Sequence, residues 1–259
     1  MLYRTTLTPM QQEYEKYTAE DHQVWQILFE RQIKNLPGAA TEEYLRGIEE
    51  VGFVPDRIPD FEAVNQRLKP LTGWQLHVVP GLIPNREFFE LMSSCHFCAT
   101  TWLRKMSQLD YLEEPDMFHD VFGHVPLLTN QPLCDFLENL SRIALRFVDN
   151  ERIIELISRV YWFTVEFGLI REGGQLKIYG AGILSSAGET KYALSGAGST
   201  GAVPERVPYS VQDVLDTPYI KDKFQEKYFV IESYEQLYGS VDEIERRLEE
   251  EAMATGMRS

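Results

Sequence analysis

Of the chain's five histidines, two stand five residues apart in His119-Asp-Val-Phe-Gly-His124. Neutral imidazoles are common transition-metal ligands, so the pair is a candidate for metal chemistry. On a straight α-helix five residues turn about 500°, which leaves the two rings roughly 140° apart. One ion could hold both only if the helix ended between them. Gly123 permits such an ending, and Pro126 biases Val125 away from helical geometry. The expectation is one ligand from the last helical turn and one from just beyond it. Two unrelated histidines would show the same spacing, so the pair alone does not define a site.

A carboxylate changes the reading. Val160-Tyr-Trp-Phe-Thr-Val-Glu-Phe-Gly-Leu-Ile170 is a nearly continuous apolar run with Glu166 as its only charge. A buried carboxylate is costly unless it is protonated, paired or metal-bound. Arg104 or Arg171 could pair with it; equally, it could join the two histidines. Two imidazoles and one carboxylate form the facial donor set that leaves positions on iron open for oxygen chemistry. On a regular helix Ser158, Trp162 and Glu166 fall at i, i+4 and i+8, one stripe that could wall a metal pocket. A zinc hydrolase could use the same donors, with Asp120 as the one candidate base beside the metal.

The elements that must carry these residues are mostly helical. Helices are expected over 21–36 (apolar side Val24, Ile27, Leu28 and Ile33), 41–51, 61–68, 85–106, 115–122, 132–148 and 151–167. Strands are expected within 72–79, over 175–179 and over 227–231, and a mobile loop over 195–202. Ser240-Val-Asp-Glu243 has the pattern of a capping box opening a last, charged helix. The fold class is therefore mainly α with a few short strands: an arm over residues 1–20, then one domain over 21–259.

Composition narrows the functions further. A net charge of −15 over 259 residues repels phosphate backbones and argues against nucleic acid. No apolar stretch is long enough to span a membrane, and the first residues lack a signal-peptide core, so cytoplasm is the expected location. Cys95-His-Phe-Cys98 has the spacing of half a zinc site or a redox motif, but only Cys134 could add a third thiolate. Buried structural thiols are the expected role, with 87–105 read as helix. Gly180-Ala-Gly182 lacks the third glycine and the βαβ setting of a dinucleotide turn.

Three segments, Glu114-Pro-Asp-Met-Phe-His-Asp-Val-Phe-Gly-His-Val-Pro-Leu-Leu128, Tyr161-Trp-Phe-Thr-Val-Glu-Phe-Gly-Leu169 and Tyr179-Gly-Ala-Gly-Ile-Leu-Ser-Ser186, resemble the core motifs of the aromatic amino acid hydroxylases in order and spacing. The resemblance runs from about Asp21 to Ser233 and is strongest to short bacterial members that act on phenylalanine. It implies the family's mainly helical catalytic-domain fold, without the regulatory domain or tetramerisation helix of animal members. It implies Fe(II), a tetrahydropterin co-substrate (tetrahydrobiopterin or a relative) and O2, with enzymes that recycle the pterin as functional partners. His119, His124 and Glu166 would be the iron ligands. Asp120 would lie on the pterin side; Gly81, Ile83, Asn85 and Phe88 would contact the pterin, Phe88 by stacking, with Ser158 also on that side. Arg104 would grip the substrate carboxylate, Trp162 would pack on its ring, and Gly182 and Ser185 would line its amino acid end. Leu112 departs from the polar residue such enzymes often carry there. Tryptophan or tyrosine as substrate remains an alternative, although Tyr161-Trp162 favours phenylalanine or tyrosine. The last helix, with Ile244 and Leu248 its only apolar pair, is too narrow for a coiled coil, so a monomer is expected.

Overall fold

A computed structural model of the chain describes residues 10–110, 114–195, 203–221 and 223–256. Leu112 and residues 196–202 of the loop expected over 195–202 lie outside them, whereas Ser195 is the last residue of a helix. In chain order the elements are α1 (Ala19–Asn35), α2 (Glu42–Val51), α3 (Phe61–Thr72), β1 (Gln75–Val78), α4 (Asn85–Met92) and β2 (His96–Ala99), followed by α5 (Gln131–Arg146) and α6 (Glu151–Tyr161). Then come β3 (Leu169–Glu172), β4 (Gln175–Ile178), α7 (Ala181–Leu184), α8 (Ala187–Ser195), β5 (Glu205–Pro208), α9 (Val211–Asp216), β6 (Lys227–Ile231), α10 (Tyr234–Gly239) and α11 (Val241–Gly256). Two π turns, Phe118–His124 and Trp162–Glu166, interrupt this helical framework.

Local chemistry sets most boundaries. Thr41, Asp60, Asn130 and Asn150 each cap the helix they precede, their side chains accepting a backbone N–H three residues on. The first helix opens two residues earlier than expected. Thr18 accepts from the Asp21 N–H while the Asp21 carboxylate takes the Thr18 N–H, so the expected arm boundary at residue 20 falls inside α1. Its buried face is Val24, Trp25, Leu28, Phe29 and Gln32, rotated from the expected stripe so that two aromatic rings point inward.

The long helix expected over 85–106 does not form. It stops at Met92, where the Ser93 and Ser94 hydroxyls donate to the Glu90 carbonyl at 3.1 and 2.9 Å and Cys95 turns with φ 59°. His96–Ala99 then pairs in parallel with β1, burying Phe97 and Ala99 on alternate positions. Four residues of alternation are too few to outweigh a helical pattern that continues from α4. Arg104 therefore sits on extended chain, and Cys95-His-Phe-Cys98 is a turn and a strand with half-buried thiols.

A second sheet has the order β4-β3-β6-β5. Its β3–β4 hairpin closes on Gly173-Gly174, whose φ values of 57° and 78° suit glycine alone without strain. The sequence reading missed β3, hidden in the apolar run, and the polar β5. It also took Ser240 for a helix cap. The Ser240 hydroxyl instead donates back to the Leu237 carbonyl at 2.7 Å and meets the Tyr209 hydroxyl at 2.8 Å.

The core lies behind the histidine-bearing turn. Phe118 and Phe122 stack at 4.6 Å, and Trp25 closes edge-on against both. The Tyr44 hydroxyl donates to the Phe122 carbonyl at 2.6 Å, tying α2 to the same turn. Gly47 lets α2 approach further, since a Cβ there would stand 2.1 Å from the Pro126 carbonyl oxygen. At the far end, α11 buries Ile244 and Leu248 completely and pairs Glu245, Glu249 and Glu251 with Arg146 and Arg152 of α5 and α6.

Candidate metal centre

The helix does not end between His119 and His124. Phe118–His124 is wound as a π turn, where residues five apart stand over one another as residues four apart do in an α-helix. The i, i+5 spacing is thus the natural spacing of this backbone, and Val125–Thr129 continues it as a 3-10 turn. Gly123 serves a different need: a Cβ on it would lie 2.9 Å from the Ala181 carbonyl oxygen. Glycine lets α7 close on the turn.

Glu166 arrives on the second π turn, confirmed by the bond from the Phe167 N–H to the Trp162 carbonyl at 2.9 Å. This wider winding takes Glu166 off the stripe expected through Ser158 and Trp162. The Ser158 hydroxyl donates to the Ile154 carbonyl at 2.8 Å, within its own helix. Gly180 and Gly182 bring α7 against the Glu166 backbone, since Cβ atoms there would stand 2.5 and 3.1 Å from its carbonyl oxygen.

The three candidate ligands converge. His124 Nε2 lies 3.1 Å from Glu166 Oε1, and His119 Nε2 lies 3.5 Å from Glu166 Oε2. One donor atom from each falls within 4.8 Å of the others. The Ser185 hydroxyl donates to the Ala181 carbonyl at 2.8 Å, so at 3.0 Å from His119 Nδ1 it accepts that nitrogen's proton. This bond holds the ring with Nε2 facing Glu166. Phe97 of β2 packs on the His124 ring at 4.9 Å. Burial would raise the Glu166 carboxyl, but the two imidazoles and the His124 hydrogen bond outweigh it and hold the group below its ordinary value. Neither Arg104 nor Arg171 is its partner: Arg171 pairs with Glu232, and Arg104 with Asp116. Two imidazole nitrogens and an ionised carboxylate, gathered and oriented in this way, fit a ferrous ion. The nearby Cys98 thiol is pushed up to about 12, chiefly by burial, and stays protonated rather than offering a thiolate.

Asp120 accepts the Thr100 N–H and hydroxyl on Oδ2 at 2.8 and 2.9 Å, and its Oδ1 has no partner among the described residues. Burial raises its carboxyl above the ordinary range, against the pull of His119 and the Thr100 donors. A carboxyl poised in this way can hold a proton or order a water beside the imidazoles.

Arg104 is not a surface residue. Its Nε and Nη2 form a two-point pair with the fully buried Asp116, at 2.9 Å each. Asp116 also accepts the backbone N–H groups of Arg104 and His119, at 2.9 and 3.2 Å. Burial opposes its charge, but the Arg104 guanidinium prevails and keeps its carboxyl below the ordinary value. Nη1 of Arg104 has no partner among the described residues, which leaves an edge for a second carboxylate.

Trp162 stacks on Tyr219 at 4.7 Å and leans on Phe167 at 4.6 Å. Phe167 in turn lies where a Gly182 Cβ would be, 2.8 Å from its ring, so Trp162, Phe167, Gly182 and Glu166 are contiguous. On the other side, half-buried Phe88 meets the edge of Tyr161, the residue before the π turn, at 6.1 Å. Gly81 and Ile83 lead into α4, which opens on Asn85. Sequence reasoning missed Asp116, Thr100, Tyr219 and Gln225. Each acts through a partner distant in the sequence, so no local pattern pointed to it.

Residues 9–254 match the model of the family described as biopterin-dependent aromatic amino acid hydroxylase. The chain is 45% identical over 227 residues to a phenylalanine-4-hydroxylase of Chromobacterium violaceum, covering 88% of this chain and 74% of that protein. It is 40% identical over 243 residues to a phenylalanine-4-hydroxylase of Pseudomonas aeruginosa, covering 94% and 90%. A crystal structure of the Chromobacterium violaceum enzyme with bound iron(III) and 7,8-dihydrobiopterin superposes with a TM-score of 0.86 at 43% identity, over 93% of this chain and 86% of that one.

Proposed function

Because the chain belongs to the biopterin-dependent aromatic amino acid hydroxylases, we propose that it is an iron-dependent monooxygenase converting L-phenylalanine to L-tyrosine with a tetrahydropterin and O2. The observation that carries this is the convergence of His119, His124 and Glu166, two imidazoles and a carboxylate brought together by two π turns. When bound there, Fe(II) supplies open coordination positions for oxygen chemistry.

The protein's own residues bind, orient and exclude water. Arg104, held by Asp116, offers its free edge to the substrate carboxylate. Trp162, with Phe167 and Tyr219, forms an apolar wall for the aromatic ring. Gly182 gives that wall room, and Ser185 shapes the amino acid end while orienting His119. Phe88 stacks on the pterin, with Gly81, Ile83 and Asn85 along the approach. Ser158 sits three residues before Tyr161, the residue Phe88 touches, and so on the pterin side of α6. Asp120 holds a proton or a water at its free oxygen near the imidazoles.

No helix among the described residues is long and apolar enough to cross a membrane. Three free thiols suit a reducing compartment, and we place the protein in the cytoplasm. We take it to be a monomer, since Val241, Ile244 and Leu248 of α11 are buried within the chain. The test is to assay iron-loaded protein with tetrahydropterin, O2 and phenylalanine, tyrosine or tryptophan in turn. Tyrosine formed from phenylalanine, coupled to pterin oxidation, is the expected result. Faster turnover of either other amino acid would reassign the substrate.

A further inference from the structure

One buried amide joins the aromatic wall to the rest of the fold. Gln225 is 4% exposed and lies between α9 and β6, in a segment that carries no metal ligand. Its Oε1 accepts the Trp162 indole N–H at 2.9 Å. Its Nε2 donates to the carbonyls of Ile220 at 3.0 Å and Lys223 at 3.3 Å, which ties it to the residue next to Tyr219. An indole N–H only donates, and a primary amide offers an acceptor and two donors, so one side chain satisfies all three bonds. The backbone of Gln225 is fixed in turn: its N–H donates at 3.2 Å to Glu189 Oε1, which also takes the Tyr228 hydroxyl at 2.7 Å.

The consequence is geometric. Trp162 and Tyr219 come from segments 57 positions apart in the sequence, yet their rings lie 4.7 Å apart and within 24° of parallel. Ring stacking alone tolerates sliding and rotation. The amide removes that freedom by holding the indole at its N–H and the Tyr219 segment at its backbone. We propose that Gln225 is a positioning residue that locks the Trp162–Tyr219 stack and thereby limits the size of the aromatic ring the site accepts. This rests on the reading of Trp162 as the wall of the substrate pocket.

The test uses the iron-loaded full chain and compares kcat/KM for phenylalanine and tryptophan. Gln225→Met keeps the side-chain volume and removes all three bonds. It is expected to lower the phenylalanine-to-tryptophan ratio by about fivefold, the worth of an ordinary hydrogen bond, mainly through KM for the amino acids. KM for the pterin should stay unchanged, a split that general loosening of the fold would not produce. In a Trp162→Phe background the same substitution should add nothing to the ratio, because its route runs through the indole. An unchanged ratio in folded Gln225→Met overturns the proposal, as does an undiminished effect without Trp162. If Trp162→Phe alone leaves both amino acid KM values unaltered, the pocket reading itself fails and the proposal falls with it. Should Gln225→Met not fold, Gln225→Glu still accepts from the indole but cannot donate to Ile220 or Lys223. Its ratio is expected to fall too, and an unchanged one again overturns the proposal.

Discussion

Replacing Asp116 with asparagine should damage both stability and substrate binding, and the structure indicates by how much. The carboxylate takes four hydrogen bonds, three from Arg104 and one from the His119 N–H. An asparagine keeps the size but loses the charge, and it must point an N–H₂ donor at a guanidinium that has only donors. Removing one partner of a buried ion pair costs about 3–5 kcal/mol. In a chain of this length that is a fall in Tm on the order of 10 °C. Arg104 would also lose its fixed direction, so KM for phenylalanine should rise more than KM for the pterin. The pH dependence gives an independent check. The folded Asp116 carboxyl lies below its ordinary 3.8, so the native state binds this proton less readily than the unfolded chain does. Its contribution is complete above that ordinary value and is lost as pH falls from there through the lower value of the folded carboxyl. Calorimetry from pH 7 down to pH 3 should show native and Asp116→Asn profiles converging at the acid end. A Tm loss of less than about 2 °C, or a gap that does not change with pH, would refute the reasoning.

Three further outcomes follow from the geometry. Arg104→Lys keeps the charge but not the two-edged fork, so KM for phenylalanine should rise roughly 10- to 100-fold with little change for the pterin; equal effects on both would make Arg104 purely structural. Gly180→Ala places a Cβ 2.5 Å from the Glu166 carbonyl oxygen and the Gly168 nitrogen, both backbone, and should weaken iron binding by about tenfold or more; titration showing native affinity would count against this packing. Burial raises the Glu189 carboxyl from 4.5 to about 7, so the native state binds that proton more tightly and stability should fall as pH rises between those values. At about 1.4 kcal/mol per pH unit this is ~3 kcal/mol, and Glu189→Gln should flatten that part of the stability curve; an already flat native curve would contradict it.

The chemistry of this protein was more legible in its sequence than the backbone that delivers it. His119, His124 and Glu166 stood out because imidazoles are few and a lone carboxylate in an apolar run demands a partner. Their convergence was foreseen, but by the wrong means. Straight-helix arithmetic required a break at Gly123, whereas two π turns solve the problem by widening the helix. Periodicity does not reveal a single wide turn, because it leaves the flanking pattern helical. The same limitation hid β2 behind α4 and β3 behind α6, where strands of four residues continue an apolar pattern already read as helix. Asp116, Thr100 and Gln225 act through contacts between segments distant in sequence, and no local pattern encodes those. The caps at Thr41, Asp60, Asn130 and Asn150 act within four residues, and the helix starts they set fall close to those expected.

The central claim is that one iron is held by three named side chains and that hydroxylation depends on it. The most direct measurement is iron stoichiometry, with tyrosine formation from phenylalanine in the same samples, for the native chain and for His119→Ala, His124→Ala and Glu166→Ala. Each variant should retain the native circular dichroism while losing iron and product together, because little of the core rests on these side chains. A folded variant that keeps full iron would remove its residue from the ligand set, and tyrosine produced by an iron-free variant would contradict the account itself.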